Sequence, residues 1–120
     1  KRQILASIYL NQLKDIEGLV LPKIESDREH VWHLFVIQHT EREAIRKYLK
    51  EHDIETAINY PIALPFLPAY SRFKHRPSDF PIAYDFQNKV LSLPMFPELT
   101  ENQVKYISSK IRELLLKIWR

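Results

Sequence analysis

The residues best suited to acid–base or metal chemistry in this chain are its five histidines, and their spacing argues against a shared site. His30 and His33 stand three apart in HVWHLFVIQH, a run with strand composition. Residues three apart on a strand point to opposite faces and cannot hold one ion. His39 and His52 flank a predicted helix and His75 sits in a predicted loop, so no metal site is expected. No HExxH pattern occurs. None of the serines has the flanking glycines of a nucleophile elbow. Ser92, in LSLP, either faces a pocket or is an ordinary strand serine. The chain has no cysteine, which removes thiol catalysis, thiolate metal sites and a disulfide framework. Its single glycine, Gly18, leaves no phosphate-cradling loop of the P-loop or dinucleotide-binding kind.

What remains is INYPIALPFLPAY, residues 58–70. Three prolines and two tyrosines interrupt an apolar run, which suits neither a helix nor a regular strand. Proline lowers the entropy lost on ordering, so such a loop can hold a fixed surface. Tyr60, between Asn59 and Pro61, would be a stiff aromatic platform with a hydroxyl. Two readings follow and are compatible: a hydrophobic plug against a partner surface, or a wall contacting a ligand. Asn59, Tyr60 and, on the preceding strand, His33 are the candidate substrate-binding residues. Their bland alternatives are a turn cap, interdomain packing and a core-edge imidazole.

The elements that must position this loop read as follows. Ile4 and Ile8 with Leu5, Tyr9 and Leu13 predict a first helix over residues 1–17, with Gly18 as its left-handed stop. HVWHLFVIQH predicts a strand apolar on both faces and therefore covered on both sides. Thr40 and Glu43 form a predicted capping box for a helix burying Ala44, Ile45, Tyr48 and Leu49. IETAIN reads as a short strand ending at Asn59, and FLPAYSRF as a place for one or two helical turns. Pro81 opens a helix through PIAYDFQNKV, with Ser78 or Asp79 as caps. LSLP is a short strand. Thr100 and Gln103 make a second capping box before a helix with Val104, Ile107, Ile111, Leu114 and Leu115 on one stripe. The sum is an α+β fold, a small, largely antiparallel sheet packed with helices.

Composition bounds the function classes. The 120 residues are enough for one domain with a real core. Eighteen Lys and Arg against fifteen Asp and Glu give a net charge of +3, with the basic residues scattered among acids as on solvated helix faces. No basic and aromatic stripe points to nucleic acid. No apolar run approaches the roughly 20 residues of a membrane helix. The chain opens on KRQILASIYLNQL, an amphipathic helix rather than a signal peptide, and without Met, which suggests a piece of a longer protein.

Read in order, VWHLFVI, TEREAIRKYLKEHDIET, INYP, PAY, FPIAYDF and LSLPMFPELTENQV together resemble the C-terminal domain of DegT/StrS-type nucleotide-sugar aminotransferases. These are pyridoxal-phosphate enzymes of fold type I. VLSLPMFPELT is the most specific block, and the resemblance covers nearly the whole chain. It implies that residues 1–120 are the smaller domain of a transaminase, roofing the substrate cleft beside a large cofactor-binding domain of the same chain. It further implies a cytoplasmic homodimer that moves an amino group from glutamate to a nucleotide-linked keto sugar, in deoxyamino-sugar or surface-polysaccharide biosynthesis.

In that family the Schiff-base lysine belongs to the large domain, so no catalytic or cofactor-binding residue is expected here and this chain alone should be silent. Against the family pattern, Asn59 replaces a first His, Pro65 a second His and Leu67 a Gln, while Tyr60, Pro61, Ala69 and Tyr70 match. Tyr84-Asp85 stands in place of Ala-Glu. These departures make the wall more apolar. They leave open, as an alternative, a non-catalytic binding or scaffold domain that kept the fold.

Overall fold

The computed structural model describes residues 1–118. Helix α1 (Arg2–Leu13) leads to strand β1 (Phe35–Gln38), helix α2 (Arg42–Glu51), three 3-10 turns (Leu64–Phe66, Pro68–Phe73 and Pro77–Asp79), helix α3 (Pro81–Gln87), strand β2 (Val90–Leu93) and helix α4 (Glu101–Ile118). The two strands pair antiparallel, with Phe35 opposite Leu93 and Gln38 opposite Val90. Single bridges extend this ribbon on both edges, Val20 to Gln38 and Ala57 to Ser92. The expected α+β architecture is what forms.

The core is built where the helical and strand periodicities converge. Tyr9 and Leu13 of α1, Phe35 and Ile37 of β1, Ile45 and Leu49 of α2, and Val104, Ile111 and Leu115 of α4 are all essentially sealed from solvent. Each such side chain contributes roughly 1.5–3 kcal/mol of transfer free energy. The Tyr9 hydroxyl donates to the carbonyl of Pro94 at 2.9 Å, which ties α1 to the exit of β2. Thr100 and Gln103 form the predicted capping box: Thr100 Oγ1 accepts the Gln103 N–H and Gln103 Oε1 accepts the Thr100 N–H. On α4, Leu114 lies at the margin of the buried stripe rather than within it.

Several expected boundaries move, each for a local reason. Helix α1 ends at Leu13, not at residue 17, because Lys14 turns extended and Asp15 adopts φ 64°. Gly18 is left-handed as expected (φ 81°), but it serves the turn that brings Val20 to Gln38. The long strand is shortened to Phe35–Gln38 because Trp32 and Phe35 are both buried although three residues apart. A regular strand would place them on opposite faces. A left-handed Trp32 (φ 54°) resets the phase, and Arg2 holds the carbonyls of Trp32 and His33. The strand is covered chiefly on the Phe35 and Ile37 side, with Val36 and Gln38 half-buried.

Thr40 does not cap α2. The Glu41 N–H donates to His39 Nδ1 at 2.8 Å instead, and the helix starts at Arg42. IETAIN contributes only the Ala57 bridge. The helix opened by Pro81 stops at Gln87, and Asp79 accepts the Arg76 N–H to cap the preceding 3-10 turn rather than α3.

Candidate functional site

No residue from Glu55 to Lys89 is buried, although this arm carries seven of the chain's twelve Tyr and Phe residues. The radius of gyration, 15.7 Å, exceeds the about 14 Å expected of a compact chain of this length, as a projecting arm requires. The arm is held by its own small cluster. Phe66 meets Tyr84 edge-on at 5.5 Å and Phe80 at 6.4 Å, and His75 meets Phe80 at 5.0 Å. The prolines fix the backbone between these contacts: Pro65 and Pro68 sit in the first turns of the two 3-10 segments.

Between this loop and α3 lies a groove of about 610 Å³. Ile62, Leu64 and Leu67 form one wall, Ala83 and Phe86 the other, and Val90 lies at the start of β2. Three polar residues line it: Asn59, Tyr60 and Gln87. Asn59 Oδ1 accepts the hydroxyl of buried Ser92 at 2.9 Å. Ser92 is itself fixed by the reciprocal backbone bonds it exchanges with Ala57. Gln87 Oε1 accepts the Ala63 N–H at 2.7 Å, pinning the loop to α3. Tyr60 is 73% exposed. None of the lining residues is Lys, Arg, His, Asp or Glu, so the groove has polar tips and no formal charge.

The structure therefore brings Asn59 and Tyr60 together at one groove. His33 lies elsewhere: it is exposed, ahead of β1, and does not line that groove. Sequence reading passed over Gln87. Its signal was present, because Ala83, Phe86 and Gln87 recur at helical spacing on one face of the helix opened by Pro81. Ser92, which its sequence context allows as either a pocket residue or an ordinary strand serine, directs its hydroxyl to Asn59 at the edge of the groove.

The remaining histidines are occupied structurally or lie apart. His30 Nδ1 accepts the Trp32 N–H and its ring stacks on the indole at 3.8 Å. His52 Nδ1 lies 2.8 Å from the Tyr48 carbonyl. Burial holds the His39 pKa below the ordinary imidazole value, against the opposing charge of Glu41. Among the described residues, no three His, Cys, Asp or Glu side chains gather to hold a metal ion. No helix of the described residues is long and apolar enough to cross a membrane. Pyridoxal phosphate would need an amine for the Schiff base, an acid at the pyridine nitrogen and a phosphate cup. The groove supplies none of these and does not fit the cofactor.

A two-stranded antiparallel ribbon with helices packed on it and an aromatic arm beside it is an α+β arrangement shared with fold type I aminotransferases. Residues 1–112 match the model of the DegT/DnrJ/EryC1/StrS aminotransferase family, and the chain belongs to that family. It is 37% identical over 107 residues to dTDP-3-amino-3,6-dideoxy-alpha-D-galactopyranose transaminase of Aneurinibacillus thermoaerophilus, covering 89% of this chain and 29% of that protein. It is 34% identical over 113 residues to dTDP-3-amino-3,4,6-trideoxy-alpha-D-glucose transaminase of Streptomyces venezuelae, covering 94% of this chain and 30% of that one. The crystal structure of S. venezuelae DesV superposes with a TM-score of 0.91 at 33% identity, over 95% of this chain and 31% of that chain. A Brucella abortus aminotransferase of the family superposes at 0.84 with 27% identity, over 95% and 30%. The chain thus spans under a third of the length of the curated relatives it matches.

Proposed function

We propose that this chain is the C-terminal, substrate-cleft domain of a pyridoxal-phosphate-dependent aminotransferase acting on a nucleotide-linked keto sugar in deoxyamino-sugar or surface-polysaccharide biosynthesis. The observation that carries it is the uncharged groove of about 610 Å³ edged by Asn59 and Tyr60, in a chain whose relatives are named as sugar transaminases. In this reading the Schiff-base lysine, the acid and the phosphate cup come from a large domain of the same chain. Glutamate is the amino donor and the working unit is a cytoplasmic homodimer. Asn59 and Tyr60 contact the substrate; His33, outside this groove, is the further candidate for a substrate contact. The aromatic arm serves as a stiff lip, excluding water from the cleft.

Incubating the full-length protein with pyridoxal phosphate, glutamate and a nucleotide-linked keto sugar should give an amino sugar of the corresponding mass. In the same protein Tyr60→Ala should weaken sugar binding about tenfold while leaving cofactor binding unchanged. Equal loss of both would remove Tyr60 from the substrate site. A second reading, a non-catalytic binding domain, is favoured by the apolar Pro65 and Leu67 in the arm. It predicts no amino-sugar product and an upstream segment without a cofactor lysine.

A further inference from the structure

Both amides that line the groove already accept one protein hydrogen bond at the carbonyl oxygen. The Ala63 backbone N–H can only donate, so the Gln87 atom 2.7 Å from it must be Oε1. The Ser92 hydroxyl donates to Asn59 Oδ1 at 2.9 Å. The part of each amide left wholly unpaired for the groove is its NH2 group. Neither Asn59 Nδ2 nor Gln87 Nε2 donates to a protein acceptor among the described residues. The third polar tip, the Tyr60 hydroxyl, is also able to donate. No carboxylate or imidazole lines the groove to accept a proton, and no Lys or Arg lines it to neutralise an anion.

We infer that this groove is a donor-rich recognition site for the uncharged, oxygen-bearing sugar end of a nucleotide-linked substrate, with Gln87 as a further specificity residue and Ser92 as the residue that positions Asn59. The inference rests on the aminotransferase reading above and assigns which part of the substrate meets this wall. Apolar walls suit carbon-bound hydrogens and methyl groups, and NH2 groups suit carbonyl, ether and hydroxyl oxygens. A diphosphate would enter without a counter-charge and give up part of its hydration. The diphosphate therefore lies outside the groove. Ser92 is 5% exposed and fixed on both sides by backbone bonds with Ala57, so its hydroxyl sets the Asn59 amide before any ligand arrives.

The test is isothermal titration of the full-length holoenzyme with dTDP-glucose and, separately, with dTDP. Asn59→Asp and Gln87→Glu keep the oxygens that accept from Ser92 and Ala63 but replace each NH2 by an acceptor. Each should weaken dTDP-glucose binding roughly tenfold and leave dTDP binding unchanged, since one hydrogen bond is worth about a factor of ten. Ser92→Ala should weaken dTDP-glucose binding by about threefold, again without changing dTDP. A merely structural role for Ser92 would lower both affinities together. Unchanged dTDP-glucose binding in the two acidic variants overturns the donor assignment while leaving the aminotransferase reading intact. Equal loss for dTDP and dTDP-glucose places the diphosphate in the groove and overturns the sugar assignment. A wild-type protein that binds neither these ligands nor UDP-N-acetylglucosamine and UDP overturns both.

Discussion

Replacing Gly18 by Ala should destabilise this domain by about 2 kcal/mol, and the terms can be taken from its surroundings. Gly18 has φ +81°, where an L-residue with a Cβ costs roughly 1–2 kcal/mol. The added Cβ would stand 3.2 Å from His39 Nε2. The imidazole has no easy retreat: it is 2% exposed, and its Nδ1 is held by the Glu41 N–H at 2.8 Å. Moving it a few tenths of an ångström adds on the order of 1 kcal/mol, the low end of overpacking costs. Against this, Ala lowers the entropy of the unfolded chain and returns about 0.4–1 kcal/mol. Urea unfolding followed by circular dichroism measures the balance. A double-mutant cycle with His39→Ala separates its parts, because removing the ring should recover about 1 kcal/mol and leave the backbone cost. A Gly18→Ala protein as stable as the parent would refute the reasoning. The same cost with and without His39 would remove the steric part alone.

Three further outcomes are expected. His39 has a folded pKa below the ordinary value of about 6.5, so the unfolded chain takes up its proton first as the pH drops. Stability is complete above about pH 6.5 and declines as pH falls through the folded pKa; His39→Gln should flatten that decline, and a wild-type urea midpoint constant between about pH 7.5 and 5.5 would contradict it. Tyr9→Phe should cost about 1–2 kcal/mol by leaving the Pro94 carbonyl without its donor, read from the urea midpoint. Titrating this 120-residue chain with pyridoxal phosphate at stoichiometric concentration should leave the cofactor's absorption spectrum unchanged, whereas a saturable shift abolished by one lysine substitution would show a built Schiff-base site within the chain.

Much of the fold was legible because it follows from local periodicity. The α4 stripe, the Thr100 and Gln103 box and the Pro81 helix start are all properties of residues within one or two turns of each other. Two of the moved boundaries have another cause: a distant or neighbouring side chain outbid the local rule. Trp32 leaves the strand because its indole is wanted in the core beside Phe35, 5.3 Å away. Thr40 loses its capping role to the imidazole of His39, a competition no spacing rule weighs. At the groove, the aromatic loop announced itself through its prolines and tyrosines. The orientation of its amides did not, because it depends on Ser92 and Ala63, which are separated by 33 residues from Asn59 and by 24 from Gln87.

The arm shows how local stiffness and missing burial combine into function. Tyr60, Leu64 and Ile82 are 73%, 68% and 70% exposed, although each is a residue whose burial would stabilise the fold. Leaving them outside forgoes stabilisation of roughly 25 cal/mol per Å² of apolar surface. An arm that kept its shape through packing on its own domain would bury them. This one keeps its shape through proline backbones, edge-on aromatic pairs and the Gln87 to Ala63 bond, none of which uses its outer surface. That division leaves the apolar face available while the backbone is already ordered, so a second surface or a sugar meets it without a large entropic penalty. In the proposed enzyme, ordering in advance is what a cleft wall requires: the donors of Asn59 and Gln87 are aimed before the substrate arrives, and the apolar rim excludes water when the cleft fills.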